Sequence, residues 1–202
     1  MVDAPPVMLV HGFLASRQVM WPLRRRMESV GLKVHAPRLS PLVIQDVRRL
    51  AQQLDRSIER LRRKTGADRI DVVGASQGGI LGLWWAQHLG GWPRIRRLVM
   101  VGSPVRGTWA ATAALPTFGL VGRGAWQMLP GSPLLKELEV ALPPDSEVVT
   151  LAMRGDPVCP PARCHLPGAD NRVVGPGLGL VTHQWMMLSP AVGRELVGSL
   201  LR

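Results

Sequence analysis

The feature that most constrains this chain is the way its short apolar runs are each followed by a segment of helical periodicity. Val7-Met8-Leu9-Val10 is uninterrupted apolar sequence behind two prolines, as expected for a strand buried on both faces. After a loop at 11–16, the residues Val19, Met20, Leu23, Met27 and Val30 recur at helical spacing, with Pro22 suited to a first turn and Gly31 to a C-terminal cap. Residues 32–36 predict a second strand. Ser40-Pro41 predicts the N-cap and first-turn proline of a long helix that carries Val43, Val47, Leu50, Leu54, Ile58 and Leu61 on one face and ends near Gly66. The alternation continues with a strand at 69–73, an apolar helix at 80–89, strands at 95–101 and 147–152, a short strand at 172–174 and a closing helix at 190–201. Strands joined through helices require right-handed crossovers, so the expected architecture is α/β: a mostly parallel sheet with helices on both faces. A chain of 202 residues is enough for one such domain, spanning 1–202.

Charge and composition narrow the function. The chain has 25 Lys and Arg against 14 Asp and Glu, a formal charge of +11. All but Lys33, Lys64 and Lys136 of these cations are arginines. They fall in short runs on the polar faces of expected helices and form no recognisable nucleic-acid module. A solvated basic surface is therefore preferred over a nucleic-acid footprint, with weak association with anionic interfaces as the intermediate reading. Tyrosine is absent, which excludes any mechanism that needs a phenol. Residues 72–93 and 173–193 lack charge and are long enough to span a membrane, but glycines, prolines and polar residues interrupt them, and they read as buried strands and loops. The first residues have neither a basic nor an apolar leader region. No dinucleotide, P-loop or His-Glu-x-x-His metal motif is present, and the expectation is an activity without cofactor or metal.

The sharpest chemical signal is Gly74-Ala75-Ser76-Gln77-Gly78, a G-x-S-x-G between an apolar strand and a helix. In that setting the serine occupies a strained turn that pushes its hydroxyl out of the sheet edge, and the glycines let neighbouring backbone approach. A bystander serine in a packing turn is the alternative. His11-Gly12-Phe13 directly follows the first strand. An acyl-transfer enzyme needs two backbone N–H donors aimed at the developing oxyanion. Gln77, after the candidate nucleophile, would supply one and Phe13 the other.

With these segments, Gly102-Ser103-Pro104-Val105-Arg106-Gly107-Thr108 and Leu129-Pro130-Gly131-Ser132-Pro133-Leu134-Leu135 complete a resemblance that runs through nearly the whole chain in order. The chain resembles the α/β-hydrolase superfamily and, within it, the small bacterial lipases and esterases. Ala75 stands where such lipases usually have His, and Gln77 where Met is usual. These departures concern pocket shape and substrate range rather than the nucleophile.

The resemblance implies a triad in the order serine, acid, histidine. Asp156, after the strand at 147–152, fits the acid, with Asp170 second. His183, in the glycine-rich stretch 175–184 before the closing helix, fits the histidine; His165 follows Asp156 too closely. The implied activity is a serine hydrolase cleaving carboxylic esters, lipid or otherwise hydrophobic, through an acyl-enzyme. Acyl transfer or amide cleavage by the same residues is one alternative, and a non-catalytic basic-surface binding protein on the same fold is another. Cys159 and Cys164 form either a disulfide beside Asp156 or a pair of buried thiols, and a zinc site from these two and His165 lacks a fourth ligand. Residues 104–145 break the strand–helix alternation. Within them, 106–135 reads either as a packed crossover or as a short lid-like insertion in which Trp109, Phe118 and Trp126 line an acyl-binding wall.

Overall fold

The structure is a computed structural model that describes residues 4–40, 44–120 and 122–202, apart from the side chain of Phe118. Six strands form one sheet: β1 Val7–Val10, β2 Val34–His35, β3 Ile70–Ala75, β4 Ile95–Val101, β5 Glu147–Met153 and β6 Asp170–Val174. Their order is β2-β1-β3-β4-β5-β6, and every pairing is parallel. Between β1 and β3 the chain reverses the direction in which it adds strands, and such a switch point opens a crevice beyond the strands' carboxyl ends. The register sets Val10 opposite Gly74. The loop that starts at His11 therefore leaves the sheet beside Ser76.

The alternation of side chains along each strand builds a core on both faces. Val7, Leu9, Val73 and Val99 pack with Leu23 and Met27 of α1 (Trp21–Glu28) and with Val192, Leu196 and Leu200 of the C-terminal helix Pro190–Leu201. Met8, Val10, Val72 and Leu98 pack on the other face against α2 (Val47–Thr65) and α3 (Gln77–His88). Leu50, Leu54 and Ile58 of α2 are completely buried. Truncating a leucine at such a site costs about 2–5 kcal/mol. Between β4 and β5 the helices among the described residues are short: a 3-10 turn Trp109–Ala114, then α4 Leu115–Phe118, α5 Gly124–Gln127 and α6 Pro133–Glu137. α7 Pro161–Cys164 follows β5, and α8 Thr182–Trp185 precedes α9, the closing helix already named. The two uncharged stretches resolve into strand ends, turns and helices. No helix among the described residues is long and apolar enough to cross a membrane.

Three local expectations change. α2 begins at Val47, where the Asp46 carboxylate accepts the Arg48 N–H at 2.9 Å, rather than at Ser40-Pro41. Ser40 is tied instead to the flank of that helix: its N–H donates to Gln53 Oε1 at 2.8 Å. Pro41 and Val43 lie outside the described residues. β2 is only Val34–His35, because as an edge strand it has a single neighbour, β1. His183 stands on α8 rather than in an irregular loop, because the Thr182 hydroxyl accepts from Leu178 N–H at 2.8 Å and donates to Gly179 O at 2.6 Å, winding the chain into a helical turn.

Candidate active site

Ser76 joins β3 to α3 with φ 52° and ψ −125°. A left-handed conformation in a residue with a Cβ costs about 1–3 kcal/mol and persists only where its surroundings enforce it. They do so here. The Ser76 N–H donates to Val101 O at 2.8 Å, pinning the turn to the end of β4. A Cβ on Gly74 would overlap the backbone of Gly78 and Gly79, and one on Gly78 would overlap Val10 O. The glycines of the motif are thus required by backbone contact between strand, turn and helix.

His183 Nε2 lies 3.0 Å from Ser76 Oγ, and His183 Nδ1 lies 2.8 Å from Asp156 Oδ2. The Nδ1 proton is therefore assigned to the carboxylate side, which leaves Nε2 to accept the serine hydroxyl. Asp156 is fully buried, and its other oxygen accepts the N–H groups of Val158 at 2.8 Å and Cys159 at 3.0 Å. Burial pushes this carboxyl upward, but the hydrogen bond and charge of His183, with the two backbone donors, outweigh it and hold the group below the usual range. Asp156 thus makes a local turn and holds the histidine at once. Asp170, the second choice for the acid, sits at the start of β6, away from Ser76, paired with Arg172.

Gly12 carries the first turn onto this site: a Cβ there would lie 2.9 Å from Ser76 Cβ and 3.4 Å from Gln77 N. Phe13 follows directly. Gln77 is the first residue of α3, where backbone N–H groups have no partner within the helix. Its buried side-chain amide meets no hydrogen-bond partner among the described residues. Two contacts under the histidine carried little sequence signal. Gly102, at φ 57° just after β4, has no room for a side chain because a Cβ there would stand 2.5 Å from the Met186 thioether, beside His183 Cε1, and Thr182 organises the turn that presents His183. A positive-φ glycine at a strand end was the available clue to the first.

The segment 106–135 divides. Ala125, Met128, Leu134 and Leu135 are buried in the core, whereas Trp109 and Trp126 are 63% and 51% exposed. Trp126 Nε1 donates to Gly119 O at 3.1 Å, and Gly124 N–H to Ile44 O at 2.9 Å, so the segment folds back toward the loop after β2. The Phe118 side chain lies outside the described residues. A cavity of about 520 Å³ lined by Val105, Leu135, Leu138 and His165 lies apart from Ser76 and His183. Cys159 and Cys164 are free and buried, and the Cys164 thiol donates to Cys159 O at 3.5 Å. Burial, the neighbouring thiol and the Asp156 charge hold the Cys159 thiol well above its ordinary value, so it stays protonated. The ligand atoms of Asp156, Cys159 and His183 lie within 4.8 Å of one another, a grouping different from the Cys-Cys-His set considered in the sequence.

A family model described as the alpha/beta hydrolase fold matches residues 43–131. No curated protein matches the chain. Among solved structures, the mature lipase BlEst2 of Bacillus licheniformis superposes with a TM-score of 0.75 at 16% identity, covering 91% of this chain and 86% of that one. A Listeria innocua gene product gives 0.66 at 18% identity, covering 96% and 92%. Lipase B of Aspergillus fumigatus gives 0.65 at 17% identity over 84% of this chain, which spans only 41% of that one. With the parallel six-stranded sheet and the serine turn at its switch point, these matches agree on one architecture, and the chain has the α/β-hydrolase fold.

Proposed function

We propose that the protein is a serine hydrolase of carboxylic esters, acting on lipid or other hydrophobic esters without a metal. The observation that carries the proposal is the continuous chain from Ser76 Oγ through His183 to Asp156, with links of 3.0 and 2.8 Å, anchored on a strained strand-to-helix turn. In this reading His183 Nε2 takes the serine proton as Oγ attacks the ester carbonyl. The backbone N–H groups of Phe13 and Gln77 hold the oxyanion, and His183 returns the proton to the leaving alcohol. Water, activated by the same histidine, then attacks the acyl-enzyme and frees Ser76. Asp156 stays ionised throughout, orienting the ring and stabilising the imidazolium. The lipases among the structural neighbours support hydrolysis, and the exposed tryptophans of 106–135 support an apolar acyl group.

The test is hydrolysis of nitrophenyl esters of rising acyl length, with and without chelator. Turnover insensitive to chelator, abolished by Ser76→Ala and by fluorophosphonate labelling, is expected. Comparable turnover by the Ser76→Ala protein would overturn the reading. Efficient aminolysis or alcoholysis in place of hydrolysis would move it to acyl transfer.

A further inference from the structure

The loops that leave the carboxyl ends of the strands differ in charge from the rest of the molecule. Residues 11–20, 36–46, 102–135, 154–165 and 175–189 hold only Asp46 and Asp156 of the 14 acidic residues. Both carboxylates are engaged, Asp46 at the start of α2 and Asp156 with His183. The same loops carry Arg17, Arg38, Arg106, Arg123, Arg154 and Arg163, and none of these forms an ion pair among the described residues, although the charge of Arg123 acts on Asp46. Elsewhere the carboxylates are plentiful: Arg62, Arg94, Arg96, Arg97 and Arg172 are each ion-paired. Others such as Arg63 and Arg69 form no ion pair among the described residues, so it is the scarcity of acidic groups that sets this edge apart. The same loops also expose large apolar side chains: Leu14, Trp109, Leu120, Trp126, Leu180 and Val181. Cations without an ion pair and exposed apolar groups thus share the edge that carries Ser76.

Part of that edge is concave. A cleft of about 250 Å³ lies between the loops after β1 and β2, lined among others by His11, Ser16, Arg17, Arg38 and Ser40. The exposed guanidiniums of Arg17 and Arg38, with Ser16 on the same lining, offer donors for a tetrahedral anion, since guanidinium forks match phosphate oxygens; the Ser40 hydroxyl is already bonded to Gln53. His11 lines the cleft, and the next residue, Gly12, packs against Ser76. An anion held there is therefore close to the candidate nucleophile.

We propose that this edge seats on an anionic phospholipid surface, with a headgroup phosphate held between Arg17 and Arg38 and the exposed apolar side chains entering the interface. Charge complementarity and the mixture of arginine with exposed Leu and Trp select a lipid surface: a duplex offers phosphates but no apolar layer for Leu120 and Leu180. The proposal rests on the ester-hydrolase reading for what happens at that surface, but docking itself needs no turnover.

The experiment is vesicle co-sedimentation of the full chain carrying Ser76→Ala, which separates binding from catalysis. Phosphatidylcholine vesicles are compared with vesicles containing about one third phosphatidylglycerol at a fixed, near-physiological salt concentration. Preferential binding to the anionic vesicles is expected. Arg17→Gln with Arg38→Gln should weaken it about 30-fold, on the scale of two arginines at a charged surface. Arg63→Gln with Arg69→Gln removes the same charge from the last turn of α2 and the start of β3, at the opposite edge of the sheet, and should change binding less than about twofold. Leu180→Asp should weaken binding to both compositions. Equal losses from the two arginine pairs, equal binding to neutral and anionic vesicles, or no effect of Leu180→Asp would each overturn the proposal. Vesicle binding by a wild-type chain that cleaves no ester would overturn the hydrolase reading and leave this one standing.

Discussion

The turn around Ser76 and the segment 106–135 meet at the same edge of the sheet, yet they are specified in opposite ways. At the turn every position is constrained by backbone: Gly74 and Gly78 by the chain passing against them, Ser76 by its bond to Val101, and Gly12 by Ser76 itself. In 106–135 the two ends are anchored, Thr108 buried and bonded to Met128 O, and Ala125, Met128, Leu134 and Leu135 in the core, whereas Trp109 and Trp126 face solvent. The first region leaves its backbone one arrangement, as bond making requires. The second offers apolar area without demanding one arrangement, which suits binding of a variable acyl chain. Substitutions at the turn should therefore depress turnover of every ester alike, whereas substitutions in 106–135 should change which ester is preferred.

The largest effect is expected from Ser76→Ala, a loss of about 10⁶ in kcat on all acyl lengths with an unchanged melting temperature. A loss confined to long esters would break the comparison. Asp156→Asn should follow with a loss of about 10³–10⁴ in kcat, because in the proposed mechanism the carboxylate orients His183 and stabilises its charge without itself transferring the proton. Gly12→Ala forces the loop carrying Phe13 away from Ser76. If Phe13 N–H is an oxyanion donor, kcat should fall about 10²–10³-fold on short and long esters equally, the scale of one lost donor.

Trp126→Asp sharpens the contrast from the other side. It should reduce kcat/KM on long esters about tenfold more than on acetate, equivalent to losing the burial of roughly two methylenes. Equal losses on both, with a marked drop in melting temperature, would show that Trp126 belongs to the fold rather than to a binding wall. The smallest effect concerns acid stability. The carboxyl of Asp156 is held below its ordinary value in the folded chain. Its contribution is therefore complete above the unfolded carboxylate range, near about pH 4, and is lost as pH falls through the lower, folded value. Asp156→Asn should flatten that acid limb of the stability curve, measured by thermal melts between about pH 2 and 6.

The strands, the principal helices and the serine turn were legible from local pattern alone. β4 and the C-terminal helix have the predicted bounds, because the apolar run Leu98–Val101 behind Ile95 and the helical stretch from Pro190 are local signals that tertiary contacts did not need to override. The start of α2 was misread because Ser40-Pro41 and Asp46 are both plausible caps, and only the bond from Ser40 to Gln53, thirteen residues on, decides between them. Asp156 could be ranked above Asp170 by its order in the chain. Its complete burial, its two backbone donors and its contact with His183 arise only when β5 and the loop after β6 are brought side by side. Periodicity and turn chemistry act over a few residues, so the sequence by itself determined which segments form the sheet and that a strained serine turn joins the third strand to its helix, whereas the strand order that puts this turn at a switch point is tertiary. The hydrogen bonds that join Ser76, His183 and Asp156 span 107 and 27 residues of chain. So does the division of 106–135 into buried and exposed halves depend on distant neighbours: packing across the whole sheet decided both, because no local pattern records which surface will meet which.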